Sequence, residues 1–166
     1  MNDQDIEALA AELGERLLAQ RWRVATAESC TGGLVAGAIT TIAGSSDWFD
    51  RGLVTYSNAA KRELLDVSQS VLDAHGAVSE PTAIAMAEGA LQRSDAALTV
   101  AITGIAGPGG GTPEKPVGMV CFAWARKDGA TISGTHYLSG NRADVRQASV
   151  AIALRGLIDV VEVSSR

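Results

Sequence analysis

Hydrophobic positions recur at helical spacing near the start of the chain. Ile6, Leu9, Leu13 and Leu17 share one face while Glu7, Glu12, Glu15 and Arg16 lie on others, which predicts an amphipathic helix over residues 5–20. The period then changes. Arg23 to Ala27 (RVATA) reads as a short strand, and Thr31-Gly32-Gly33 leads into an apolar helix from Leu34 to Ile42 that stops at Gly44. Gly52 to Tyr56 (GLVTY) predicts a second strand, followed by a helix capped by Asn58 that carries Lys61, Leu64 and Leu65. A short helix around Val71 and Leu72 precedes a longer one opened by Ser79 and Pro81, with Ile84, Met86, Ala87 and Leu91 supplying its apolar surface.

Ala96 to Thr103 (AALTVAIT) is an unbroken apolar run rich in β-branched residues, the signature of a strand buried on both faces. After it, Gly104 to Gly118 (GIAGPGGGTPEKPVG) holds too many glycines and prolines to form an element, and it is long enough to point to function. Val117 to Trp124 and Thr131 to Leu138 flank the turn Lys127-Asp128-Gly129 and read as an antiparallel hairpin. Asn141, with Asp144 in the first turn, caps a last helix whose core stripe is Val150, Leu154, Leu157 and Val161. This order predicts one α/β domain over 1–166, a three-layer α/β/α sandwich. Its mixed sheet has about five strands, the crossovers giving parallel pairs and the hairpin one antiparallel pair.

Composition narrows the function. With 166 residues and 46% hydrophobic content the chain can fill one sizeable core, and its formal charge of −5 has no dense basic block. Nucleic acid and anionic membrane surfaces, which are bound through clustered positive charge, are therefore not expected as partners. The acidic N-terminal segment lacks the pattern of a secretion signal, and no apolar run approaches the roughly 18 to 20 residues that span a bilayer, so a cytoplasmic location is expected. Cys30 and Cys121 are expected as unpaired thiols. His75 and His136 have no ligand spacing around them, so neither a metal nor another cofactor is expected. The apolar content leaves room for a homo-oligomer interface.

Three polar clusters each follow a predicted strand: Glu28 to Gly33, Tyr56-Ser57-Asn58 with Lys61, and the glycine loop after Thr103. Ligands of open α/β sheets bind beyond the carboxyl ends of the strands, so the three form one candidate site. Ser29 would face the positive end of the following helix, where amides of Cys30, Thr31, Gly32 and Gly33 could hold an oxyanion. The alternative is that Ser29 is only a helix cap; no G-x-S-x-G or histidine partner accompanies it. Lys61, in a helical first turn, is the candidate base, because the macrodipole and burial both favour its neutral amine. Tyr56 could relay the proton or orient the amine, against the alternative of a packed ring and a solvated lysine. Cys30 is a lesser candidate nucleophile.

Substrate contacts are expected from Asn58, Thr103, Gly104, Gly107, Gly109, Gly110 and Arg142, with Arg146 a further candidate for a phosphate. The glycine loop matches neither a P-loop nor a dinucleotide fingerprint, and a flexible lid is the alternative to a binding loop.

The segments AESCTGGLVAGAIT at 27–40, GSS at 44–46, VTYSNAAK at 54–61, GAVS at 76–79 and AITGIAGPGGGTPEKPVG at 101–118 together resemble the CinA C-terminal domain family. The resemblance runs from about residue 5 to 160 in unbroken order. The family includes stand-alone nicotinamide-nucleotide amidases, and many members carry this domain behind a larger one. The resemblance implies a hydrolase that converts nicotinamide mononucleotide to nicotinate mononucleotide and ammonia by a metal-free Ser/Lys mechanism, serving recycling of pyridine nucleotides. Carried over by motif, the functional residues are Ser29, Tyr56 and Lys61, and the implied fold is a three-layer sandwich with a mixed five-stranded sheet. Binding of a nucleotide without catalysis, and hydrolysis of another small carboxamide, are the rival functions.

Overall fold

The computed structural model describes residues 2–165; Met1 and Arg166, the ends of the expected domain, lie outside them. In chain order the elements are α1 (Asp3–Gln20), β1 (Val24–Glu28), α2 (Leu34–Thr40), β2 (Phe49–Val54), α3 (Asn58–Leu65) and α4 (Gln69–His75). They continue with α5 (Glu80–Gln92), β3 (Leu98–Gly104), β4 (Met119–Arg126), β5 (Ile132–Tyr137) and α6 (Arg142–Ser164). The five strands form one open sheet in the order β2-β1-β3-β4-β5. It is an α/β sandwich with a mixed sheet, as the hydrophobic pattern predicts.

β1 lies parallel to both β2 and β3, and β4 is antiparallel to both β3 and β5. The sheet therefore has two antiparallel pairs where one was expected. A parallel connection needs a crossover, usually helical, and the Gly/Pro-rich segment after β3 forms none. Instead it doubles back, with the Ile105 amide donating to the Met119 carbonyl at 2.9 Å and the Gly118 amide to the Ile105 carbonyl at 2.7 Å.

Two cores sandwich the sheet. Leu9, Leu13 and Leu17 of α1 and Leu154, Leu157 and Val161 of α6 pack with Val35, Ile39 and Trp48 over the faces of Val100 and Phe122. On the opposite side Leu65, Leu72, Ala83, Met86 and Ala90 from α3, α4 and α5 cover Ala27, Ala101 and Ala123. β1 is buried along its whole length and β3 along all but its last residue, so their continuous apolar runs reflect cover on both faces.

Two element boundaries that bear on the site differ from the sequence reading. β2 ends at Val54, paired with Glu28, so that Thr55 to Ser57 leave the sheet earlier than GLVTY implies. α3 is capped by Ser57, whose Oγ accepts from the Ala60 amide at 3.0 Å, while Asn58 is already helical. Serine and asparagine are comparable caps, so adjacent candidates are separated only by where the chain turns. Ser79 and the Asn141/Asp144 capping box open α5 and α6 as expected.

α3 is held in place by a backbone-to-backbone approach. A Cβ on Gly89 of α5 would lie 2.0 Å from the Leu65 carbonyl oxygen, with no flexible side chain to yield. Gly89→Ala should therefore lower the unfolding free energy by about 2–4 kcal/mol, above the range of ordinary helix substitutions. Chemical denaturation measures this; a loss below about 1 kcal/mol would show that the two helices separate easily.

Candidate active site

Ser29 is the first residue past β1. Its amide still donates to the Ile102 carbonyl of β3 at 2.9 Å, so its position is set by the sheet. The preceding residue explains why its hydroxyl is free for other work. Glu28 is 1% exposed, and its Oε1 accepts from Thr31 Oγ1 at 2.6 Å and from the amides of Gly33 at 3.2 Å and Val35 at 2.9 Å. Its Oε2 accepts from the Ala36 amide at 3.0 Å. The orphan amides of α2 are thus satisfied by Glu28. The cap position itself is Gly33, at a positive φ of 102°. Ser29 is not a helix cap.

The same contacts correct the expected oxyanion donors. The Gly32 amide is bonded to the Ser29 carbonyl at 3.0 Å and the Gly33 amide to Glu28, while the Thr31 side chain is buried against Glu28. Among the described residues, the amides of Cys30 and Thr31 are the two in this turn bonded to no other residue, and of the two residues Cys30 borders the cavity described below.

Lys61 projects from α3 to the same point and is 1% exposed, among the largest side chains that are fully buried. Its Nζ lies 3.1 Å from Ser29 Oγ, 2.9 Å from the Thr55 carbonyl and 3.3 Å from the Tyr56 carbonyl. Nζ donates to all three oxygens, and the serine hydroxyl donates to the Tyr56 carbonyl at 3.4 Å; a neutral amine, with two N–H donors and one lone pair, can take the serine proton once that hydroxyl turns toward it. None of the ion pairs among the described residues includes Lys61. Burial accordingly lowers its pKa from the ordinary 10.5, with only the Cys30 thiolate opposing.

Tyr56 contributes differently from expectation. Its carbonyl accepts from Lys61 and, at 3.4 Å, from Ser29 Oγ, whereas its side chain is 61% exposed and its hydroxyl accepts from Arg142 Nη2 at 3.3 Å. The phenol therefore stands at the rim and is not hydrogen-bonded to the amine. Arg142 also donates through Nη1 to the Gly107 carbonyl at 2.8 Å, joining α6, the glycine loop and Tyr56.

These groups line a cavity of about 260 Å³. Ser29, Cys30, Tyr56, Lys61, Thr103, Gly104, Gly107, Gly109, Gly110 and Arg142 border it; Thr31, Gly32, Gly33 and Asn58 do not. The last four lie in or beside helix starts that turn away from the cavity. Thr103 donates its proton to the Ala77 carbonyl at 2.8 Å, so it reaches the cavity only as an acceptor. Arg146, a candidate for a phosphate, instead donates to the Cys30 and Thr31 carbonyls at 3.2 and 3.4 Å. Ala77, Val78, Ile105 and Ala106 complete the wall. Sequence reasoning missed them because apolar residues in loops carry no chemical signal of their own.

A larger groove of about 560 Å³ between α1, α2 and α6 contains Ile6, Leu34, Ala38 and Val150, and its described lining includes no serine, cysteine or lysine. Cys30 and Cys121 are free and buried. Burial pushes the Cys30 thiol up to about 11, against the thiolate form a cysteine nucleophile needs. Among the described residues no group of three or more His, Cys, Asp or Glu side chains is placed to hold a metal ion. No helix of the described residues is long and apolar enough to cross a membrane.

A serine–lysine pair at the carboxyl edge of a mixed α/β sheet, walled by a glycine loop, is the setting in which the comparisons with known proteins fall. Residues 6–161 match the CinA C-terminal domain, and the chain belongs to that family. It is 52% identical over 155 residues to the nicotinamide-nucleotide amidohydrolase PncC of Enterobacter agglomerans, covering 93% of this chain and 94% of that protein. A CinA-like protein of Mycolicibacterium gilvum is 56% identical over 147 residues, which make up 89% of this chain and 35% of that longer protein. The crystal structure of the competence/damage inducible protein CihA from Agrobacterium tumefaciens superposes with a TM-score of 0.91 at 51% identity, covering 93% of this chain and 94% of that one.

Proposed function

We propose that this chain is a single-domain amidohydrolase that converts nicotinamide mononucleotide to nicotinate mononucleotide and ammonia, with Ser29 as nucleophile and Lys61 as base. The carrying observation is the 3.1 Å approach of a buried lysine Nζ, without a carboxylate partner, to a strand-end serine hydroxyl in a cavity. The name borne by the Enterobacter agglomerans relative supplies the substrate.

In the first step Ser29 Oγ attacks the carboxamide carbon as its proton passes to Lys61 Nζ, and the former carbonyl oxygen takes the negative charge. The amide of Cys30, which borders the cavity, stabilises that charge. Lys61 then returns the proton to the departing nitrogen, ammonia leaves, and an ester to Ser29 remains. Water attacks the ester with Lys61 again accepting the proton, releasing the carboxylate and restoring the hydroxyl. The Tyr56 carbonyl orients both reacting groups. Arg142 and the loop amides of Gly109 and Gly110 meet the phosphate at the rim, a role that needs a guanidinium bonded only to neutral partners. Such an activity recycles pyridine nucleotides in the cytoplasm.

Ammonia release from nicotinamide mononucleotide, measured with and without a chelator, tests the proposal. The expected result is turnover that the chelator leaves unchanged. Nicotinamide riboside, which lacks the phosphate, should be at least about 100-fold poorer in kcat/KM, and Arg142→Ala should raise KM about 10-fold with kcat within about threefold. Equal turnover of the riboside would remove the phosphate role; no ammonia from the mononucleotide would remove the substrate.

A further inference from the structure

Thr103 borders the cavity beside Ser29, and the chemistry proposed above leaves it without a task. The sheet sets the two residues side by side. β1 and β3 run parallel with Ala27 opposite Ala101 and Glu28 opposite Ile102, and the Ser29 amide extends the ladder by one more bond, to the Ile102 carbonyl. Ala27 and Ala101 both lie under the core formed by α3, α4 and α5. Side chains alternate along strands, so Ser29 and Thr103, each two residues further on, emerge on that same face from strands about 4.8 Å apart.

The hydrogen bond that Thr103 makes has a fixed polarity. Its Oγ1 lies 2.8 Å from the Ala77 carbonyl oxygen, which has no proton to give, so the hydroxyl proton is committed there. What remains for the cavity is a lone pair. Thr103 is 1% exposed, and turning its proton elsewhere would take this donor from the Ala77 carbonyl. A carboxamide held over Ser29 carries two N–H donors, and acceptors for them are few. No Asp, Glu, Asn or Gln is among the described residues that border the cavity. The Tyr56 carbonyl already accepts from Lys61 and Ser29, and the Tyr56 phenol stands at the rim.

We propose that Thr103 Oγ1 is the specificity-determining acceptor that takes an N–H of the substrate carboxamide and disfavours the carboxylate of the product. The inference rests on the amidase reading, in which substrate and product differ at this one group. An oxygen that can only accept attracts the NH2 of the first and repels the O⁻ of the second. The contact also strengthens as the departing nitrogen gains its proton, because a charged donor bonds more strongly than a neutral one.

Binding to the full chain carrying Ser29→Ala, which forms no ester, isolates the contact. Calorimetry gives the Kd of nicotinamide mononucleotide and of nicotinate mononucleotide, first for Ser29→Ala and then with Thr103→Val or Thr103→Ser added. Valine keeps the shape and removes the oxygen, whereas serine keeps the oxygen. Ser29→Ala should bind the amide about 10-fold more tightly than the carboxylate. Adding Thr103→Val should weaken the amide about 10-fold without weakening the carboxylate, so that the preference falls to within about twofold. Adding Thr103→Ser should keep the preference within about threefold of its parent.

An equal loss of both affinities in Thr103→Val, the pattern of a threonine that merely holds the Ala77 segment, would overturn the proposal. So would a preference that survives the loss of the oxygen. If Ser29→Ala binds nicotinamide mononucleotide but prefers it to the carboxylate in no measurable degree, the role of Thr103 falls and the substrate reading stands. If it binds neither nucleotide, both fall.

Discussion

Ser29→Ala should release ammonia from nicotinamide mononucleotide on the order of 10⁴-fold more slowly than the wild type, with an unchanged unfolding midpoint. The size follows from the covalent route: without Oγ no ester forms, and the residual rate is what binding and the Cys30 amide give a direct attack by water. The unchanged fold follows from the contacts. The Ser29 hydroxyl bonds only Lys61 Nζ and the Tyr56 carbonyl, while α2 is capped by Glu28. A serine that served as a cap would instead cost about 1 kcal/mol on truncation. Steady-state kinetics beside a denaturation curve separate the two. Cys30→Ser serves as the companion, since the neighbouring thiol lines the same cavity and should be dispensable within about threefold. Activity that survives Ser29→Ala and disappears with Cys30→Ser would move the nucleophile by one residue.

The meeting of residues 29 and 61 could be read in advance because both lie just beyond strands whose parallel pairing puts their carboxyl ends on one edge. What could not be read is the direction of individual groups at that edge. Glu28 is the plainest case: alternation along a strand gives its face, yet nothing in AESCTGG says that its carboxylate reaches amides five to eight residues ahead. The signal was present, since an acidic residue directly before a polar turn and a short helix with no other capping side chain must find donors. Tyr56 is the opposite case: its aromatic side chain drew the expected role of relaying a proton or orienting the amine, whereas the group that contacts the amine is its carbonyl, and backbone groups are identical in every residue and leave no trace in composition. Arg142 and Arg146 show the same limit at one helical turn of separation: one reaches the cavity and the other turns back onto the chain.

Lys61→Met should abolish turnover by about 10³- to 10⁴-fold, and Lys61→Arg should be nearly as inactive, because a guanidinium keeps its proton at any working pH and cannot act as base. The pH dependence carries the stronger test. Burial disfavours the ammonium, so the folded protein releases the Lys61 proton below the ordinary 10.5. The wild-type kcat/KM should rise along a limb whose midpoint lies below that value and which both variants lack. Stability has the matching sign. Between the lowered folded pKa and the ordinary unfolded one, the unfolded chain holds more protons, so stability rises with pH through that interval and is lower by a constant amount beneath it. Methionine, apolar and of similar length, avoids this cost and leaves the Thr55 and Tyr56 carbonyls to find other donors. The Lys61→Met protein should therefore be inactive and its denaturant midpoint should lack this pH dependence, so that the wild-type midpoint rises relative to it as the pH is raised toward 10.5. A flat wild-type activity profile together with a midpoint difference that does not change with pH would mean that Lys61 is held as an ammonium and that the serine has another base.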